Sequence, residues 1–470
     1  MNKHIIYILT LGLTAMLVGC ARSEQEAEQL NKQVTTIPDY TEVTIPRNIA
    51  PLRFCLPDCL MLGDALAVFK SGSEKVCVEN DEDNGFCISE SDWKVLANAS
   101  DTITVTIQGI KGNKCVAYIP FHIYISHDEM DRYISYRLIE PGYEVWKEMG
   151  IYQRDITTFD EHEVMSNKDT NGGCMNCHSF CHNSADKMLF HLRVDYSGSY
   201  ILEDGKIRKL VQDADMPNYV YPSWHPNGRY IAFSQNKTKQ MFHTTDRNRI
   251  EVFDYASDIV VYDTQTDRVF TTPLLHSHSA FETFPSWSPD GKRLYFCTAD
   301  SVQIPEDYDK VRYSICSITY DSRSDTFGET VDTLINANKE YASAIFPRIA
   351  PDGKYLMFTK ADYGNFPIWH KESRLHTINL TTGERDSISI RASYHSWSSN
   401  SRWIVCASRC DDGLYTRPYI FHIDAKGKTS KPFALPQSDG RYYLRKMKSY
   451  NIPEFTKDKV KDANLKNITH

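Results

Sequence analysis

Phe284-Pro285-Ser286-Trp287-Ser288-Pro289-Asp290-Gly291-Lys292-Arg293-Leu294-Tyr295-Phe296 is the stretch from which the fold can be read. It recurs upstream as Tyr221-Pro222-Ser223-Trp224-His225-Pro226-Asn227-Gly228-Arg229-Tyr230-Ile231-Ala232-Phe233 and downstream as Phe346-Pro347-Arg348-Ile349-Ala350-Pro351-Asp352-Gly353-Lys354-Tyr355-Leu356-Met357-Phe358. A worn fourth copy runs from Tyr394 to Val405. Apolar and aromatic residues flank a Pro-Asp-Gly turn, Pro-Asn-Gly in the upstream copy and Ser-Asn-Ser in the worn one, which describes a strand, a tight turn and a second strand. A further hairpin follows each copy, as in Asp258 to Asp263 before Thr264-Gln265-Thr266-Asp267. Two hairpins make a four-stranded sheet, and such sheets repeated at spacings of 63 and 62 residues predict a β-propeller.

Working outward, Ser179 to Phe190 reads as a divergent first copy with one extra residue. Five blades are then visible from Phe180 to Pro436, within a propeller spanning 179–455. A sixth would join strands between Tyr133 and Asp155, in a bridging segment 129–173, to the late segment Tyr442 to Phe455, and 456–470 would be a polar tail. The Pro-Asp-Gly hairpins resemble those of TolB-like propellers over more than half of the chain. That resemblance implies a fold and leaves function open, because propellers host binding, scaffolding and catalysis alike.

Upstream of the bridge, residues 40–128 show short strand-like runs such as Thr102 to Ile107 and Cys115 to Tyr124, divided by turns. They predict an immunoglobulin-like β-sandwich, so the whole chain is expected to be all-β. The acidic turn Glu79 to Gly85 lacks the closing glutamate of a calcium loop and reads as a solvated hairpin. Residues 1–19 hold a short apolar run ending Leu17-Val18-Gly19-Cys20, which resembles a bacterial lipoprotein signal peptide. The expectation is a chain lipidated at Cys20, held by a polar tether 20–39 at the cell envelope as an outer-membrane lipoprotein, periplasmic or surface-exposed. A net charge of -8 offers no basic field for nucleic acid.

Between bridge and propeller lies Cys174-Met175-Asn176-Cys177-His178. Cys-x-x-Cys-His is the spacing of c-type haem attachment: Cys174 and Cys177 would bind one haem c covalently, and His178 would be the axial iron ligand. Met188, His191, His225 and His243 are the candidate second axial ligands, and Arg193 could pair with a propionate. Two other readings stay open: a zinc site extended by Cys181 and His182, or a plain disulfide or free thiols. Cys55 with Cys59, Cys77 with Cys87, and Cys406 with Cys410 are further candidate pairs. Taken together, these features look similar to TolB-like envelope lipoproteins, some of them cytochrome-related.

Two functions follow. One is a lipid-anchored monohaem cytochrome on a propeller, transferring electrons to a redox partner or sensing a ligand. The other is a propeller that binds an envelope protein or a polymer, with structural cysteines and no haem. Gly-x-Ser-x-Gly, Gly-rich phosphate loops and His-Glu-x-x-His are absent from the sequence. An enzymatic role is therefore expected only as a haem-dependent oxidoreductase.

Overall fold

The computed structural model describes residues 27–140, 146–212, 219–246, 248–461, 463, 465 and 468, without the side chain of Cys177. Cys20 and the signal segment lie outside the described residues. Two compact units emerge. One takes the described residues up to Glu129 with Thr157–Phe159 and Pro436–Lys446, and the other takes Met130–Ile156, Asp160–Leu435 and the described residues from Met447.

The first unit is built on one mixed sheet. Its strands are β1 (Glu28–Gln33), β2 (Val43–Pro46), β4 (Gly63–Ser71), β5 (Glu74–Glu79), β7 (Thr102–Lys111), β8 (Lys114–Ile119) and β9 (Phe121–Ser126). They pair in the order β1-β8-β7-β4-β5, with β9 also on β7 and β2 on β9. β3 (Phe54–Cys55) and β6 (Gly85–Phe86) form a separate ribbon. Alternation in β7 buries Ile103, Val105 and Ile107 and leaves the intervening threonines half-exposed, as the strand period of two requires. Helix α1 (Glu90–Ala99) begins where the Ser89 hydroxyl accepts the Asp92 N–H at 3.1 Å, and it buries Trp93, Leu96 and Ala97. The expected sandwich of two facing sheets is not shown: β7 pairs with β4, β8 and β9 and so joins these strands in one sheet, to which β1 and β2 add by parallel pairing.

The second unit is a ring of six four-stranded antiparallel sheets. Their innermost strands are Met175–Phe180 (blade 1), Val220–Trp224 (blade 2), Ala280–Trp287 (blade 3), Ser343–Ile349 (blade 4), Ala392–Trp397 (blade 5) and Ser449–Thr456 (blade 6). Each inner strand touches the next, and that of blade 6 touches that of blade 1, so the ring closes. Blades 1 to 5 are consecutive in the chain. Blade 6 is composite: Ser449–Thr456 pairs with Tyr133–Ile139, which continues into Gly150–Asp155 and Glu161–Ser166. This is a propeller closed by pairing early chain to late chain.

The turns explain why these residues make hairpins. In blade 3 the Gly291 N–H reaches the Ser288 carbonyl at 2.9 Å, and Asp290 Oδ1 accepts from the Ser288 hydroxyl at 2.6 Å and from the Lys292 N–H at 3.0 Å. Gly228, Gly291 and Gly353 adopt φ of 70°, 69° and 74°, a region open to glycine at little cost. Blade 5 keeps the turn with Ser401 at φ 63° and Asn400 in the aspartate's role. Blade 1 turns through His182 and Asn183 at φ 56° and 57°, which accommodates its extra residue. Between blades lie apolar layers, such as Met149, Ile151 and Met165 of blade 6 against Met175, Phe180 and Phe190 of blade 1.

Candidate functional site

Every inner strand carries a bulge at the same level, between Asn176 and Ser179, Val220 and Ser223, Thr283 and Ser286, Ile345 and Arg348, Ser393 and Ser396, and Asn451 and Glu454. Five of the bulges place a bulky residue on left-handed backbone: Tyr221, Phe284, Phe346, Tyr394 and Ile452, at φ between 48° and 56°. Side chains of this size are rarely found there. The result is a collar at the centre of the ring. Tyr221 lies 4.4 Å from Phe284, Phe284 4.1 Å from Phe346, and Phe346 4.7 Å from Tyr394, centroid to centroid.

The collar borders a cavity of about 370 Å³. A second ring also lines it, two residues after the collar position in blades 2 to 6 and just past the bulge in blade 1: Ser179, Ser223, Ser286, Arg348, Ser396 and Glu454. Four blades supply a hydroxyl, blade 4 a guanidinium and blade 6 a carboxyl. Glu454 Oε1 accepts the Phe180 N–H at 3.1 Å, and burial pushes its carboxyl up to about 7. Loss of water lowers the Arg348 pKa, although the residue as a whole is only half-buried. The Arg348 guanidinium makes no hydrogen bond or ion pair with any described residue, and the Ser396 hydroxyl is buried without a partner.

Two histidines share the wall. His395 bonds the Met357 carbonyl through Nε2 at 3.0 Å, and its Nδ1 has no partner. His178 is 3% exposed, and neither of its ring nitrogens has a partner in hydrogen-bond geometry. Burial, reinforced by the Arg137 cation, pushes its pKa down to about 3; nearby backbone of Ile452 and Ser135 offsets this only in part. His178 is therefore a neutral imidazole at physiological pH. Arg137 itself is engaged, donating to the Met175 carbonyl at 3.0 Å and to Asn176 Oδ1 at 2.7 Å.

The sequence-predicted site residues separate. Cys174 is a free thiol sealed in the apolar layer between blades 6 and 1, and it does not line the cavity that receives His178. Met188 is buried in that same layer. His191 bonds the Ser199 hydroxyl at 3.0 Å and lines a second, polar cavity with the exposed Arg193. His225 staples two turns, accepting the Asn227 N–H at 3.1 Å and meeting the Gly291 carbonyl at 3.0 Å. His243 stacks on Tyr308. Cys181 belongs to the layer between blades 1 and 2, on the other side of its sheet from Cys174. Cys174 and His178 thus open onto different surroundings, the thiol in the apolar layer between blades 6 and 1 and the imidazole on the central cavity. Cys174 and Cys181 do not converge as zinc ligands. Cys55, Cys59, Cys87, Cys406 and Cys410 are free thiols, so the local pairs expected from spacing are not formed.

Arg348, Glu454 and His395 are the cavity residues that sequence reading missed. The repeat itself held the signal, since Arg348 and Glu454 stand where Ser223, Ser286 and Ser396 stand in other copies.

No family model matches the chain, and no curated protein matches it. The TolB-like resemblance stays with the hairpin motif. Among solved structures, an oligogalacturonate lyase from Vibrio parahaemolyticus is 13% identical, with a TM-score of 0.38 over 60% of this chain and 70% of that one. A Mycobacterium tuberculosis puromycin-hydrolyzing peptidase is also 13% identical, with a TM-score of 0.36 over 73% of this chain and 52% of that one. A DUF4784 family protein from Bacteroides caccae is 7% identical, with a TM-score of 0.29 over 74% and 94%. The propeller assignment rests on strand pairing and ring closure.

Proposed function

We propose that this chain is a binding propeller whose central cavity receives a ring-bearing end of a ligand. The observation that carries this reading is the collar of Tyr221, Phe284, Phe346 and Tyr394 on left-handed backbone. Such backbone costs on the order of 1–3 kcal/mol per residue, and its repetition at one level turns consecutive inner-strand side chains toward one cavity. A concave, largely apolar site with a few placed polar groups is how small ligands are held. Lipidation at Cys20 and tethering to the outer membrane belong to the same proposal, and the bound molecule would be an envelope polymer or a partner's end.

The test is a thermal-shift screen of the mature chain against saccharides and short peptides, repeated on Tyr394→Ala and Phe346→Ala. A shift given by the wild type and lost in both variants supports the reading. An absorbance band of covalent haem that survives acid-acetone extraction would overturn it in favour of a c-type cytochrome serving a redox partner.

A further inference from the structure

The second ring of the cavity departs from its own pattern at two of six places. Ser179, Ser223, Ser286 and Ser396 present hydroxyls, whereas blade 4 presents Arg348 and blade 6 presents Glu454. Between these two in the ring stands blade 5; the Glu454 carboxyl favours the Arg348 cation only through space, with no hydrogen bond or ion pair between them. A guanidinium in a partly dry wall without a hydrogen-bond partner is a costly thing to keep, unless an anion from outside satisfies it.

We propose that the ligand is an acidic sugar, a uronic acid at the end of a glycan, with its carboxylate on the Arg348 guanidinium and its ring against the collar; this rests on the binding reading above. The planar fork of an arginine matches a carboxylate with two parallel hydrogen bonds. The C–H face of a pyranose suits the apolar faces of Tyr221, Phe284, Phe346 and Tyr394. Its hydroxyls find partners in the serine ring, the Ser396 hydroxyl among them, and in the Glu454 oxygen not needed by the Phe180 N–H. One cation balanced by one carboxyl favours a monoanion over a phosphate dianion. A simple carboxylic acid would leave the serine ring unused.

Isothermal titration of the full mature chain tests this with D-glucuronate and D-galacturonate, their neutral parents D-glucose and D-galactose, and acetate and phosphate. The uronates should bind at least tenfold more tightly than the neutral sugars. Arg348→Ser, which restores the residue of the other blades, should erase that preference, and Arg348→Lys should keep part of it. If Arg348→Ser fails to fold by circular dichroism, the lysine variant and the wild-type panel decide alone. Equal affinity for uronate and parent sugar, or a preference that survives Arg348→Ser, overturns the inference. Acetate or phosphate binding as tightly as the uronates overturns the sugar and leaves a bare anion site. Neutral sugars or peptides bound without carboxylate preference, and lost in Tyr394→Ala, would remove this inference and keep the binding propeller. No binding by any probe removes both.

Discussion

Replacing Glu454 by glutamine should stabilise the propeller at alkaline pH and leave it unchanged in acid. Below pH 4.5 the carboxyl is protonated in both the folded and the unfolded chain and contributes nothing. Between 4.5 and about 7 the folded chain holds a proton that the unfolded chain has released, so stability falls as pH rises. Above 7 the full penalty stands. A midpoint moved from 4.5 to about 7 corresponds to about 3 kcal/mol. Glutamine still accepts the Phe180 N–H through its carbonyl oxygen, so the hydrogen bond at 3.1 Å is kept while the buried charge is removed. At about 2 °C per kcal/mol for a large unit, the variant should melt roughly 6 °C above wild type at pH 8.5. At pH 4 the two should melt together. Comparing variant and wild type at each pH cancels every other titrating group. A variant that melts at or below the wild type at pH 8.5 would refute the reasoning, because the ionised carboxylate would then be well solvated or paired.

Three further outcomes are expected. His225→Ala should cost about 2 kcal/mol, measured by urea unfolding, through loss of its bonds to Asn227 and Gly291. Cys174→Ala should leave the visible absorbance unchanged and cost about 1 kcal/mol in the same assay, as for a small buried apolar group; loss of a haem band would contradict the placement of this thiol. Asp263, held below the usual carboxylate range first by Arg229 at 2.5 and 2.8 Å, contributes stability that is present above its ordinary pKa of 3.8 and lost as pH falls. Asp263→Asn should therefore flatten the acid limb of the melting-temperature profile.

The propeller could be read from sequence because its turns are local. Pro-Asp-Gly and the strands around it fix each hairpin with residues a few positions apart, and even the degenerate Ser398 to Arg402 turn keeps the hydrogen bonds of the others. Composite blade 6 was legible by counting, since a ring with five visible blades left strand-like segments at each end of the repeat. The first unit was harder: its parallel pairings join segments up to 90 or so residues apart, and nothing in β1 names β8 as its neighbour. Cys174 to His178 pose a different problem. A spacing motif states how far apart side chains are along the chain, and the bulge between Asn176 and Ser179 decides which side of the sheet each one meets. Arg348 and Glu454 were written plainly in the repeats, but their importance depends on facing a cavity that exists only once the ring has closed.

The common bulge also bears on how such a protein can change. Blades 2 to 6 each contribute one collar residue and all six blades one residue of the polar ring, drawn from six stretches far apart in the chain, and none of these positions makes the turns that define the hairpins. A single codon in blade 4 is enough to put a cation where its siblings keep a hydroxyl. Selectivity can thus be rewritten one blade at a time, with the scaffold inherited intact, and duplicated copies of this chain could diverge toward different ligands by substitutions at these eleven sites while every strand pairing stays the same.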